Sequence, residues 1–185
     1  DAHQDQPFGN RHSIDRIAAA GVDVCHDRDA HRLGDVPREV EDVLHLDEAD
    51  VRFAEPLVSV AMITYNQRPY IEQAVNSVLT QQVDFGVELV IGEDCSTDGT
   101  REVVFELQRQ YPAHVRVVGS ENNVGAYKNS GRTLEACRGR YVAFCEGDDY
   151  WHDPTKLVKQ VAFLERRPDY AMVHSHCDRY LVVKR

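Results

Sequence analysis

The chain has 185 residues, of which 42% are hydrophobic and 28% are charged. This is the composition of an ordinary globular protein with one domain and a short appendage. No apolar run approaches the roughly 20 residues that cross a bilayer, and no signal peptide is recognisable. The net charge is −10, and no basic face of the kind that binds nucleic acid is present. The sequence therefore predicts no transmembrane segment and no nucleic-acid partner.

The charge divides the chain into two parts. The first 56 residues contain 14 acidic and 6 basic side chains, whereas the remaining 129 contain 17 and 15. Ser13 is placed to cap a helix over residues 14–20, and Pro37 is placed to open a second helix. We predict that residues 1–55 form an acidic, partly helical arm and that residues 56–185 form the main domain.

The five cysteines are odd in number, and no two of them form a C-x-x-C pair. This usage is typical of free thiols in a reducing compartment, and it gives no zinc site. We therefore expect a cytoplasmic protein, with the inner face of the membrane as the alternative location.

From Leu57 onward, apolar runs that are typical of buried strands alternate with helical patterns. The predicted strands cover residues 57–63, 87–91, 115–118, 141–145 and 170–174. The predicted helices begin near Pro69, at residue 100, at residue 126 and after Asp153, and the second and third end at residues 110 and 137. This alternation indicates an α/β fold with a mostly parallel, Rossmann-like sheet and helices on both faces.

Polar side chains follow each of the first four predicted strands, at the point where the strand ends. They are Thr64, Tyr65 and Asn66 after the first strand, Glu93 and Asp94 after the second, Asn122 and Asn123 after the third, and Glu146, Asp148 and Asp149 after the fourth. In parallel α/β sheets, ligands bind beyond the carboxyl ends of the strands. The sequence therefore predicts that one edge of the sheet carries the functional site.

The acidic run after the fourth strand has the most distinctive chemistry. Glu146, Asp148 and Asp149 place three like charges within four positions, and a divalent cation removes their mutual repulsion. Carboxylates of this kind bind Mg²⁺ or Mn²⁺, and the metal then binds phosphate oxygens. We predict that Asp148 and Asp149 hold Mn²⁺ or Mg²⁺ on a diphosphate.

The nucleoside is expected on the first two loops. Thr64 and Asn66 are placed to frame the base, and Asp94 is placed to accept hydrogen bonds from a nucleobase or a ribose. The chain lacks the Gly-rich phosphate loops of P-loop and dinucleotide-binding proteins, and it lacks the G-x-S-x-G elbow of hydrolases. The remaining chemistry is displacement at a carbon that bears a nucleoside diphosphate, with the metal stabilising the leaving group.

Four blocks carry a family resemblance through their order and spacing. They are LVSVAMITYN (57–66), EDCSTDGTREVV (93–104), SENNVGAYKNSGRTLEACRGRYVAFCEGDDYW (120–151) and DPTKLVKQVAFLE (153–165). Over residues 56–178 the chain resembles the family 2 bacterial glycosyltransferases, which have the GT-A nucleotide-sugar-binding fold. The resemblance implies an inverting transferase that moves a sugar from a nucleoside diphosphate, UDP by default, to a hydroxyl of a glycan or lipid-linked acceptor. It also implies Mn²⁺ or Mg²⁺ as the cofactor.

The resemblance assigns roles position by position. It implies nucleotide-sugar binding by Thr64, Tyr65, Asn66, Asp94, Asn123, Lys128, Glu146 and Asp148, and metal binding by Asp148 and Asp149. Gly125 matches a glycine of the family's third-loop turn. Glu146 stands where many relatives have Asp, and its longer side chain is expected to reach a ribose hydroxyl or a metal-bound water. For Tyr150 and Trp151 two interpretations stay open, packing against the following helix and contact with the sugar.

The general base of the family is usually an Asp well downstream of the metal-binding block. Asp178 is the only late acidic residue in a plausible loop and is the candidate within this chain. The resemblance leads us to expect the base beyond Arg185, with the chain forming a donor-binding part of a longer enzyme. Two alternatives stay open: a nucleotide-binding regulatory or assembly module without turnover, and a sugar-1-phosphate nucleotidyltransferase. The latter depends on a Gly-rich loop after the first strand, where residues 64–68 contain no glycine.

Overall fold

The computed structural model describes residues 56–178, so the predicted helical arm lies outside the described residues. A four-stranded sheet forms the centre of this region. Its strands are Val58–Thr64 (β1), Val87–Glu93 (β2), Val115–Gly119 (β3) and Tyr141–Phe144 (β4). They lie in the order β3-β2-β1-β4, and every neighbouring pair is parallel. The predicted parallel α/β fold is confirmed.

Four helices alternate with the strands. They are Ile71–Leu79 (α1), Thr100–Gln110 (α2), Ala126–Ala136 (α3) and Lys156–Arg166 (α4). The main core lies on one face of the sheet, where Val60 and Met62 of β1 pack with Ile71 of α1, Val104 of α2 and Leu157 of α4. Between residues 56 and 178, no helix is long and apolar enough to cross a bilayer.

Helix α3 covers the opposite face of the sheet. Gly92 of β2 lies directly beneath it, and a Cβ atom at this position would come within 2.0 Å of the Thr133 hydroxyl oxygen. The Asn129 side-chain amide donates to the Gly92 carbonyl at 2.8 Å. The absence of a side chain at residue 92 therefore sets how closely α3 approaches the sheet, and α3 begins at the edge where the strands end.

Two predictions from the sequence are wrong. Residues 170–174 form no strand, because this segment pairs with none of the described strands and is mostly exposed, with only Val173 packed against the core. A β-rich sequence without a neighbouring ladder does not form a strand. The prediction of five free thiols fails at Cys177, which is disulfide-bonded, whereas Cys95, Cys137 and Cys145 are free.

Candidate functional site

The carboxyl ends of the strands meet at one edge of the sheet. Thr64, Glu93 and Gly119 are register partners at the ends of β1, β2 and β3. Strand β4 ends earlier, but the chain continues beside β1, where the Gly147 N–H donates to the Ile63 carbonyl at 3.1 Å. This contact places the acidic loop, residues 146–149, next to Thr64.

The junction between the first loop and the acidic loop is tight. A Cβ atom on Gly147 would lie 2.9 Å from the Thr64 hydroxyl oxygen and 2.5 Å from the Gln67 amide oxygen. Thr64 is buried, and among the described residues neither of these two oxygens has a hydrogen-bond partner. Only glycine therefore fits at position 147, and two polar atoms border the acidic loop at this point.

Backbone hydrogen bonds join the first loop to the second. The N–H of Asn66 donates to the Ser96 hydroxyl at 3.0 Å, and the N–H of Gln67 donates to the Thr100 hydroxyl at 2.9 Å. The Asn66 side-chain oxygen in turn accepts the N–H of Thr97 at 2.9 Å. Tyr65 is 46% exposed between these anchored residues. The loop thus presents the Tyr65 ring, while the Asn66 side chain holds the loop in place.

The two acidic residues at the end of β2 have separate partners. Glu93 is fully buried and accepts the Ser96 N–H at 2.6 Å and the Arg101 guanidinium at 2.6 Å. Asp94 is 2% exposed and accepts the N–H groups of Val124 and Gly125 at 2.8 and 2.9 Å. Asp94 therefore fixes the third loop, and its predicted contact with a nucleoside stays a prediction.

The third loop turns into α3 at residues 123–125. Asn123 donates from its side-chain amide to the Asp94 carbonyl at 3.2 Å. Gly125 has a φ of +84°, a left-handed conformation that favours glycine. Tyr127 is 93% exposed in the first turn of α3, and Lys128 beside it is also exposed. A cationic and an aromatic side chain are thus available at this edge.

The acidic loop concentrates negative charge. Burial, together with the charges of Asp148 and Asp149, raises the pKa of Glu146 to about 7. Asp148 and Asp149 are both exposed. Within residues 56–178, no three His, Cys, Asp or Glu side chains converge in a way that could hold a metal ion. The loop therefore supplies hard oxygen ligands from two accessible carboxylates rather than a closed protein cage.

Two candidates remain, Trp151 and Asp178. Trp151 is half-buried against the core, its backbone N–H donates to the Ser77 hydroxyl at 3.0 Å, and the Lys156 ammonium lies 5.2 Å from its ring centre. These contacts favour the packing role for Trp151. Asp178 is exposed at the end of the described segment, and no described contact joins it to the acidic loop.

Sequence reasoning missed the residues that support the site. Asp98 and Thr100 hold the first loop, and the sequence Asp98-Gly99-Thr100 before a helix was a usable signal for this role. Arg101 and Arg132 hold the ends of β2 and β3. No sequence signal marks these two arginines, because a helical arginine most often faces solvent.

Comparison with known families identifies the class of this protein. The sequence profile of Glycosyl transferase family 2 matches residues 59–180, so the chain belongs to that family. TuaG of Bacillus subtilis (strain 168), assigned provisionally as a teichuronic acid biosynthesis glycosyltransferase, is 43% identical over 113 residues, which are 61% of this chain and 44% of TuaG. The chain spans 44% of the length of TuaG and 32% of the length of an uncharacterized relative from Mycobacterium bovis.

Solved structures share the fold. S. aureus TarS 1-349 in complex with UDP has a TM-score of 0.52 and 33% identity, covering 60% of this chain and 32% of TarS; TarS was also solved with UDP-GlcNAc. The mannosyltransferase PcManGT from Pyrobaculum calidifontis, in complex with GDP-Man and Mn²⁺, has a TM-score of 0.53 and 26% identity, covering 60% and 33% of the two chains. The sheet and its helices are thus of the GT-A type.

Proposed function

We propose that residues 56–178 form the donor-binding part of an inverting glycosyltransferase that uses a nucleoside-diphosphate sugar, with a UDP sugar as the default donor. One observation carries this proposal: the acidic loop lies beside Thr64, on the edge of the sheet where Asp94 holds the 123–125 turn. A diphosphate ligand and a nucleoside ligand can therefore bind side by side. Membership of the family and the UDP and GDP-Man complexes of structural neighbours support it.

The nucleoside would lie against the first three loops. Tyr65 offers an exposed ring on which a base can stack, and Lys128 offers a cation near the phosphates. Asn66 and Asp94 contribute mainly by fixing the loops, because their side-chain oxygens already accept backbone hydrogen bonds. Glu146 would reach a ribose hydroxyl or a metal-bound water from the other side.

Asp148 and Asp149 fit a divalent cation. Both are exposed carboxylates, and Mn²⁺ and Mg²⁺ are commonly bound by one or two carboxylates together with substrate phosphates and water. This mode of binding needs no third protein ligand, which agrees with the open arrangement of the acidic loop. When bound, the metal would neutralise charge that develops on the departing diphosphate.

The acceptor side of the reaction needs a general base. Inversion in a single displacement requires a base within about 2.6–3.2 Å of the acceptor hydroxyl, directly or through one water. Glu93 and Asp94 are buried in structural contacts, and Glu146, Asp148 and Asp149 serve the donor in this proposal. We assign the base to a residue outside the described region, and Asp178 is the alternative. The acceptor would be a glycan or a lipid-linked sugar at the inner face of the membrane.

A titration tests the proposed function. UDP, GDP and dTDP sugars are titrated into the 185-residue chain and into its Asp148→Asn variant, with and without Mn²⁺. Asp169→Asn serves as the matched control because Asp169 is an exposed carboxylate beyond α4. We expect Mn²⁺-dependent binding with UDP sugars preferred. Binding that is independent of both Mn²⁺ and the acidic loop, or absent for all three donors, would refute the proposal.

A further inference from the structure

We propose that Arg132 is a positioning residue of the nucleotide half of the site, acting through Asp94 to fix the 123–125 turn. This inference rests on the proposed donor-binding function. Arg132 lies in α3, two turns from the loop that it controls, and it touches neither the acidic loop nor the exposed Tyr65 in any described contact.

The guanidinium of Arg132 joins three separate elements. One terminal nitrogen donates to the Glu93 carbonyl at 2.7 Å, and the other donates to the Gly119 carbonyl at 2.9 Å. Its Nε donates to the Asn129 side-chain oxygen at 2.8 Å. Glu93 and Gly119 are the last paired residues of β2 and β3. The planar fork of arginine makes all three bonds at once, which a lysine ammonium on a flexible stem cannot reproduce with the same geometry.

The charge of Arg132 also acts on Asp94. Its guanidinium lies 3.8 Å from a carboxylate oxygen of Asp94, and the two side chains are 23% and 3% exposed. A buried carboxylate is costly unless hydrogen bonds and an opposite charge compensate it. The N–H groups of Val124 and Gly125 supply the hydrogen bonds, and Arg132 supplies the charge. The contacts therefore run from Arg132 to Asp94 and from Asp94 to the turn that opens α3.

A comparison with Arg101 supports the assignment of the positioning role to Arg132. It approaches the same strand ends from α2, and it donates to the Glu93 carboxylate at 2.6 Å and to the Ser120 carbonyl at 2.8 Å. No described contact joins Arg101 to Asp94. Glu93 and Asp94 thus each have their own arginine, and of these two arginines only Arg132 is linked through Asp94 to the 123–125 turn.

The test compares Arg132→Met, Arg132→Lys and the control Arg109→Met, an arginine that is exposed on α2. Amide hydrogen exchange at Val124 and Gly125 is measured without any ligand, and UDP affinity is measured with Mn²⁺. Arg132→Met should speed exchange at these two amides and weaken UDP binding about tenfold, with a smaller effect for Arg132→Lys. Arg109→Met should change neither.

A double-mutant cycle with Asp94→Asn separates this role from general stabilisation. If Arg132 acts through Asp94, the double variant should bind UDP within about twofold of Asp94→Asn alone. Unchanged exchange and affinity in Arg132→Lys and Arg132→Met, faster exchange throughout residues 56–178, or losses that multiply in the cycle would each overturn the inference. If Arg132→Met does not fold, the amide exchange and the UDP affinity of Arg132→Lys decide whether Arg132 has this role. A wild-type chain that binds no nucleotide would refute the proposed function, and the exchange data would still decide whether Arg132 holds the turn.

Discussion

The side-chain oxygen of Asn66 accepts a hydrogen bond from the backbone N–H of Thr97 at 2.9 Å. Asn66 itself has a φ of +54°, in the left-handed region that asparagine tolerates better than most residues. The contact joins the loop after β1 to the loop after β2, and it leaves the neighbouring Tyr65 ring exposed. The backbone conformation and the side-chain bond therefore depend on the same residue.

Substitutions of Asn66 separate these two contributions. Asn66→Gly keeps the backbone conformation and loses the hydrogen bond, which should lower the free energy of unfolding by about 1 kcal/mol. Asn66→Ala loses both and should cost about 2–3 kcal/mol. Urea denaturation measures both variants. If both kept wild-type stability and yet lost nucleotide binding, Asn66 would contact the base directly.

Asp148 and Asp94 should differ in what their removal costs. Asp148→Asn should weaken Mn²⁺-dependent UDP binding at least about tenfold, and because Asp148 is exposed the free energy of unfolding should change by less than about 0.5 kcal/mol. Asp94→Asn should weaken UDP binding by about 1.5–3 kcal/mol, because the 123–125 turn loses a hydrogen bond to a charged acceptor. It should leave Mn²⁺ binding without nucleotide unchanged. Calorimetry with metal alone and with UDP distinguishes them. Equal loss of metal binding in both variants would contradict these roles.

The sequence predicted the elements of the fold because its periodicities are strong. The helix over residues 100–110 was predicted with its observed bounds, and the four strands agree with the structure to within two residues at each end. Residues 170–174 show the limit of this reasoning. Apolar, β-branched composition indicates that a segment fits a sheet, but a strand also needs a partner, which composition does not supply.

The position of the candidate residues in the fold was predictable, whereas the contacts of their side chains were only partly so. The sequence placed Asp94 and Asn66 at the edge of the sheet, and the structure confirms that location. The sequence could not show that both side chains accept hydrogen bonds from backbone N–H groups, because those partners lie about 30 residues away along the chain. Arg132 was not predicted, since its role depends on the distance between α3 and the strand ends.

The packing of α3 on Gly92 gives a prediction about stability. In Gly92→Ala the new methyl group would lie 2.0 Å from the Thr133 hydroxyl and 2.7 Å from the Asn129 side-chain oxygen. We expect the free energy of unfolding to fall by about 1–3 kcal/mol, as for other overpacked sites. Adding Thr133→Ala removes the nearer atom and should recover part of the loss.

Gly131→Ala is the matched control for this prediction. Gly131 lies in α3 with no atom within 4 Å of a new Cβ, so alanine should stabilise the helix by about 0.5–1 kcal/mol. Denaturation with urea measures both changes. If Gly92→Ala were as stable as Gly131→Ala, α3 would not pack on β2 at the distance seen here.

The buried carboxylate of Glu88 gives a prediction about pH. One of its oxygens accepts the Ser59 hydroxyl at 2.6 Å and the Arg138 N–H at 2.8 Å, and the other accepts the guanidinium groups of Arg138 at 2.8 Å and Arg116 at 3.1 Å. Burial alone would raise the pKa of Glu88. The hydrogen bonds from Arg138 and Ser59 and the charge of Arg116 outweigh it, and they hold the pKa below its ordinary value of 4.5.

A lowered pKa in the folded state means that the unfolded chain binds the proton more readily. The stability that Glu88 contributes is therefore fully present above its ordinary, unfolded pKa of 4.5, and it is lost as the pH falls through the folded pKa. Glu88→Gln should lower the free energy of unfolding at neutral pH by about 2 kcal/mol. It should also lose less stability than the wild type on acidification below about pH 5. Urea denaturation over this range measures the difference, with Glu102→Gln, exposed on α2, as the control. Parallel losses in the wild type and Glu88→Gln would show that Glu88 titrates alike in both states.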